Sequence, residues 1–302
     1  GKGTLNVTTN FNNGIGCKDE LKIISGKVNV TAVNNAIRGN DCVVIKDGEI
    51  NAISKSGDGI KSTKENNDQK GYVYVDGGNV NVTAYEDGLQ AVTLLAVAGG
   101  EVSISADDDG MHCDKILAIS GGTINITKSY EGIEATVINV SGGKTYVKAS
   151  DDGLNATVGN NTSNSNERFG GFGGGGGSMQ YQEACQVNIS GGYLYVDASG
   201  DGLDSNGDLT ISGGVAIVNG PTNGGNGSLD ANGTIYANGG FLVAAGSNGM
   251  AEYPTGTSTQ NVIIITFNGM QQAETIIRIV DANGADLMNF APFTKMLKVF
   301  ST

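Results

Sequence analysis

Residues 105–126, SADDDGMHCDKILAISGGTINI, contain one complete period of a repeating sequence. The stretch opens with Asp107, Asp108, Asp109 and Asp114 around the chain's single histidine, His112. It then runs through an aliphatic segment to Gly121-Gly122 and ends in the alternating strand TINI. The first phrase recurs as DGIKS at 58, DGLQA at 87, EGIEA at 131, DGLNA at 152 and DGLDS at 201, with weaker copies at 13, 35, 227 and 248. Its central aliphatic residues are Ile15, Ile37, Ile60, Leu89, Met111, Ile133, Leu154, Leu203, Leu229 and Met250, most often about 22 residues apart. The second phrase, a glycine corner between β-prone runs, keeps step with it as ISGKVNV, VDGGNVNV, VAGGEVSI, ISGGYLYV and ISGGVAIV.

Within these runs Val28, Val80, Val102 and Ile124 take one side of the strand, and Asn29, Asn81, Ser103 and Asn125 take the other. Such short strands cannot bury an apolar side alone. Coils stacked in register can, so the sequence predicts an all-β protein: a right-handed parallel β-helix of about ten coils with a period of about 22. The small residues Ser62, Ala91, Cys113, Ala135 and Ala156 are expected at a crowded interior corner. Two long separations place insertions at about 62–71 and 158–185. The repeat domain is then 1–256. Residues 257–302, where NVIIITF and TIIRIV break the period, read as a C-terminal β-strand cap over the solenoid's unpaired edges.

With 18 Lys and Arg against 31 Asp and Glu, the 302-residue chain carries a formal charge of −13. That balance argues against nucleic acid and anionic membrane surfaces and leaves cations or neutral ligands. Forty-nine glycines and three prolines, without a collagen period, fit frequent turns and little helix. No apolar run is long enough to span a membrane, and the opening residues GKGTLNVTTN lack a signal-peptide pattern, so an export signal is expected to have been removed or never present. Cys17, Cys42, Cys113 and Cys185 have no zinc spacing and read as buried free thiols.

Stacking aligns the carboxylates. Asp58, Asp87, Asp109, Glu131, Asp152 and Asp201 form one column; Glu86, Asp108 and Asp151 form a second; Glu134 and Asp204 join a third, whose basic members are Arg38 and Lys61. At a rung spacing of about 4.8 Å, neighbouring charges repel by roughly 1 kcal/mol in water and several-fold more where shielded. Asp-Gly is also ordinary turn chemistry, in which Asp bonds its own backbone and Gly accepts positive φ. Turn chemistry does not account for the doubled acids, whereas converging hard oxygens suit Ca2+. A calcium site, a solvated structural ladder and direct catalytic use remain open, and the spacing does not match an EF-hand. His112, in the column of Lys61, Gln90, Glu134 and Asn155, reads as a surface histidine. Asn29, Asn81 and Asn125 read as rungs of an asparagine ladder rather than glycosylation sites. Tyr146 and Tyr195 share an outward column, with Tyr72, Tyr74 and Tyr193 on nearby strands, and their rings are candidate sugar platforms or strand-edge covers.

The alternation of DDGΦxA with SGGxΦxΦ resembles a family of bacterial cell-surface parallel β-helix proteins described as a carbohydrate-binding domain, similar in fold to pectate and other polysaccharide lyases. The resemblance covers about residues 1–255 and extends into the C-terminal segment. It implies export to an extracellular or cell-surface location, calcium held by Asp58, Asp87, Asp109, Glu131, Asp152 and Asp201, and attachment to plant cell-wall polysaccharides such as cellulose and pectin. Glu131 departs from the family's aspartate. A calcium-dependent lyase is the competing class; it would need a base, for which the column offers only Lys61 and Arg38, so no catalytic residue is assigned. A structural adhesin stalk is the third class.

Overall fold

The computed structural model describes residues 2–158, 180–291 and 296–301. Each coil crosses three faces. The coil that begins at Leu89 shows them in order: a three-residue strand Leu89–Ala91, a four-residue strand Leu94–Val97, and a six-residue strand Glu101–Ala106. Every strand pairs in parallel with its counterparts one coil away, as Leu89 does with Met111 and Val102 with Val80 and Ile124. The six-residue face stacks ten rungs, from Thr4–Thr8 to the second half of Ile235–Gly246. There is no helix among the described residues, and so none that could cross a membrane. The expected all-β parallel solenoid is the observed fold.

The aliphatic columns close on one another inside. Ile37, Ile60, Leu89, Met111, Ile133, Leu154, Leu203 and Leu229 are fully buried and belong to one continuous core. At the interior corner Ser62, Ala91, Cys113 and Ala156 are also fully buried, with Ala135 nearly so. The four cysteines are free thiols; Cys42, Cys113 and Cys185 are buried as expected, but Cys17, in the first coil, is only half-buried. Met250 departs from the pattern: it lies outside any strand and is 39% exposed. Among the described residues no further coil stacks on it. Instead the carboxylate of Glu252 accepts the edge N–H of Ala231 at 3.0 Å.

The two kinds of glycine do different work. The corner glycines, such as Gly100 (φ +85) and Gly122 (φ +79), have the left-handed backbone that L residues avoid. The glycines of the DGΦ phrase, such as Gly88 and Gly110, do not, which corrects the turn reading of that phrase. A Cβ on Gly110 would lie 2.6 Å from the carbonyl of Gly132 and 2.7 Å from the Ile126 side chain. Glycine is required there because the next coil comes too close.

The register places the 62–71 insertion between Ile60–Ser62 and Tyr72–Val75. Its Lys70 pairs with Asp41 at 2.6 Å, and its Asp68 pairs with Lys115 at 2.6 Å. The 158–185 insertion lies mostly outside the described residues. Past the last parallel rung, Ile263–Gln271 and Met296–Ser301 pair antiparallel, and the second of these also pairs with Ile235–Gly246. A small second core joins Val243 and Ala245 to Ile277 and Met288.

Candidate functional site

The aspartates before each glycine sit at the entrance to the three-residue face, and the backbone dictates one use of them. An oxygen of Asp58 accepts the N–H of Asp87 at 3.2 Å, and an oxygen of Asp87 accepts that of Asp109 at 3.2 Å. Asp152 does the same for Asp201 at 2.6 Å, and Asp201 for Gly227 at 2.5 Å. These carboxylates therefore bond the next coil, not their own turn. One oxygen is structural, and in Asp58, Asp87 and Asp109 the other faces a basic side chain.

The cation differs along the column. Lys61 pairs with the buried Asp58 at 2.5 Å, and Arg38, its register neighbour, donates to the hydroxyl of Thr63 at 2.9 Å. Two rungs on from Lys61, at the position Gln90 holds in between, stands His112. Its Nδ1 lies 3.1 Å from Asp109, 3.8 Å from Glu134 and 4.0 Å from Asp87, and its Nε2 lies 3.5 Å from Asp114. The half-buried ring is thus surrounded by carboxylates, not a plain surface histidine as its column suggested. Burial opposes its charge, but the bonds to Asp109 and Asp114 and the charges of Asp87 and Glu134 prevail and hold its pKa well above the ordinary value. Burial and the charges of neighbouring carboxylates push Asp87 and Asp109 upward despite the imidazole.

Beyond His112 the site contains only oxygen donors. Asp109, Glu131 and Glu134 bring oxygens within 4.8 Å of one another, and two carboxylate oxygens of Asp87 and Asp109 lie equally close to a ring nitrogen of His112. Burial and Glu134 drive the pKa of Glu131 far upward. Asn155 donates to Glu131 at 3.0 Å, while its own carboxamide oxygen is buried and accepts nothing; the carboxamide oxygen of Gln90 is in the same condition. Further along, Asp204 pairs in register with Asp230. Burial and neighbouring carboxylates raise Asp152 to about 7, Asp201 to about 6 and Asp204 to about 8. Among the described residues no ion pair reaches Asp152, Asp201, Asp204 or Asp230.

The second acidic column is more peripheral: Asp108 is exposed, Glu86 and Asp151 are half-buried, and Asp151 is bonded by Tyr130. Sequence reasoning missed Asp114, Asp230 and Glu252 as members of the site. Asp230 was findable, since GSLDA puts it at the place that Asp204 occupies in DGLDS.

The tyrosines divide between two faces. Tyr72 and Tyr74 lie on the four-residue face, where the Tyr74 hydroxyl bonds Asp76 at 3.2 Å and Lys46 stands 5.2 Å from its ring centre. On the six-residue face Tyr146 pairs in register with Tyr195, and its ring lies 6.3 Å from that of Tyr195 and 5.7 Å from that of Tyr193. The asparagine ladder runs on the same face. Asn29 donates to Asn6 at 2.7 Å, Asn51 to Asn29 at 2.8 Å and Asn81 to Asn51 at 3.1 Å. Ser103 then interrupts it, so Asn125 does not extend the ladder as expected.

In comparisons with known proteins, no curated protein and no solved structure matches the chain. A family model described as carbohydrate-binding domain-containing protein matches residues 1–153, and the chain belongs to that family.

Proposed function

We propose that this protein is a non-catalytic, calcium-binding β-helix that attaches to plant cell-wall polysaccharide at the cell surface. Family membership supplies the carbohydrate. The observation that carries the calcium is the pair of buried, unpaired carboxamide oxygens of Gln90 and Asn155, in the same column as Glu134 and Asp204. A buried acceptor beside carboxylates calls for a proton donor or a cation, and an all-oxygen donor set suits a hard cation. Asp109, Glu131, Glu134 and Asn155 would hold it on one side of His112, and Asp152, Asp201, Asp204 and Asp230 further along. Bound calcium would neutralise the ladder and supply a bridge to the carboxylate of a uronate.

The lyase reading lacks a poised base. Lys61 is engaged by Asp58 and Arg38 by the hydroxyl of Thr63. The test is to incubate the protein with polygalacturonate, xylan and cellulose, with calcium or chelator, and measure both pull-down and the ultraviolet absorbance of unsaturated products. Binding to polygalacturonate only with calcium, and without product, is expected. Product formation that Lys61→Ala abolishes would make the protein a lyase instead.

A further inference from the structure

The carboxylate ladder and the tyrosines lie on different faces, and the tyrosine face contains a hollow of its own. A cavity of about 590 Å³ lies over the six-residue face, lined by Asn125, Tyr146, Lys148, Tyr195 and Asp197 among others. A second, of about 250 Å³, continues over Asn51, Asn81, Thr83 and Ser103. Both touch Thr127, so they form one trough running along the solenoid axis. From the strand Glu49–Ser54 to the strand Gln186–Ala198 it crosses six rungs, about 24 Å at the spacing of parallel strands.

The chemistry of the trough selects its occupant. The two charged groups among these lining residues, Lys148 and Asp197, are register partners of opposite sign, so the trough is neutral on a chain of charge −13. The carboxamides of Asn51 and Asn81 donate along the ladder, but past the break at Ser103 the Asn125 carboxamide has no hydrogen-bond partner among the described residues, and it flanks Tyr146 in register. The site therefore offers a free amide donor and acceptor beside the exposed ring of Tyr146. Aromatic faces with adjacent amides and hydroxyls suit the apolar face and equatorial hydroxyls of a pyranose ring. The rungs also repeat at about the step of one sugar in an extended chain.

We propose that this trough binds a linear, neutral, equatorially linked pyranose polysaccharide lying parallel to the solenoid axis, without any need for a divalent cation. The proposal rests on the carbohydrate-binding reading and adds a second site, distinct from the carboxylate ladder, with its own ligand class.

Affinity electrophoresis of the full chain through gels containing hydroxyethyl cellulose or polygalacturonate, with calcium or with chelator, tests it. Wild type is expected to be retarded by hydroxyethyl cellulose equally with calcium and with chelator. Tyr146→Ala with Tyr195→Ala should weaken that retardation about tenfold or more, and Asn125→Ala several-fold, with polygalacturonate retardation and melting temperature little changed. Tyr74→Ala on the other face should leave it intact. Neutral-glycan binding that survives the double tyrosine variant, or that chelator abolishes, overturns the proposal. Retardation by polygalacturonate with calcium but never by the neutral glycan overturns the trough and leaves the calcium reading standing. No retardation by either glycan overturns both.

Discussion

At the scale of single residues, Asp and Gly in the repeated dipeptide answer to the neighbouring coil. Asp lends one oxygen to the next backbone N–H, and Gly leaves room for the next carbonyl. Gly110→Ala should therefore cost about 2–4 kcal/mol, whereas Gly224→Ala, where nothing lies within 4 Å, should be close to neutral. Thermal melts of the two variants check this, and equal melting temperatures would refute it. Leu89→Ala, at a fully buried position, should lose about 2–5 kcal/mol through the cavity it leaves. The sequence showed that these positions repeat, and stacking explained the aliphatic columns. It could not show the purpose of the glycine, because turn geometry and close approach of a neighbouring coil leave the same letter in the chain.

Among elements, the three faces divide the labour: the three-residue strands carry carboxylates, and the six-residue strands carry the trough. This division was legible for the acids, whose columns follow directly from the register, and less so for the tyrosines. Tyr72 and Tyr146 look equivalent in an alternating strand, and only the assignment of strands to faces separates them. His112 was misjudged for a similar reason: the outward column looked solvent-facing, but acids from three rungs enclose the ring. The carboxylate face should make metal-free stability depend on pH. Asp152, Asp201 and Asp204 titrate at about 7, about 6 and about 8 when folded, against roughly 4 unfolded. The folded chain then binds more protons, so stability falls as pH rises from about 4 to 8. His112, its pKa raised, adds in the same sense: its contribution is full below about 6.5 and is lost as pH rises through its folded value. Melting temperatures in chelator should drop from pH 5 to pH 8, and calcium should remove most of the drop. A flat profile in chelator would contradict these shifts.

At the scale of the whole molecule, the solenoid carries two distinct surfaces: a column of carboxylates that repel one another unless protonated or neutralised, and a neutral trough on another face. Calcium-dependent melting at pH 8 shows whether a divalent cation neutralises the carboxylate column. At a free calcium concentration about a hundredfold above its dissociation constant, wild type should gain about 2.7 kcal/mol, a rise of several degrees. The variant Asp109→Asn, Glu131→Gln, Glu134→Gln should show a clearly smaller calcium rise than wild type, the remainder coming from the group of Asp152, Asp201, Asp204 and Asp230. A wild-type melting temperature indifferent to calcium, or an equal rise in the triple variant, would contradict the account.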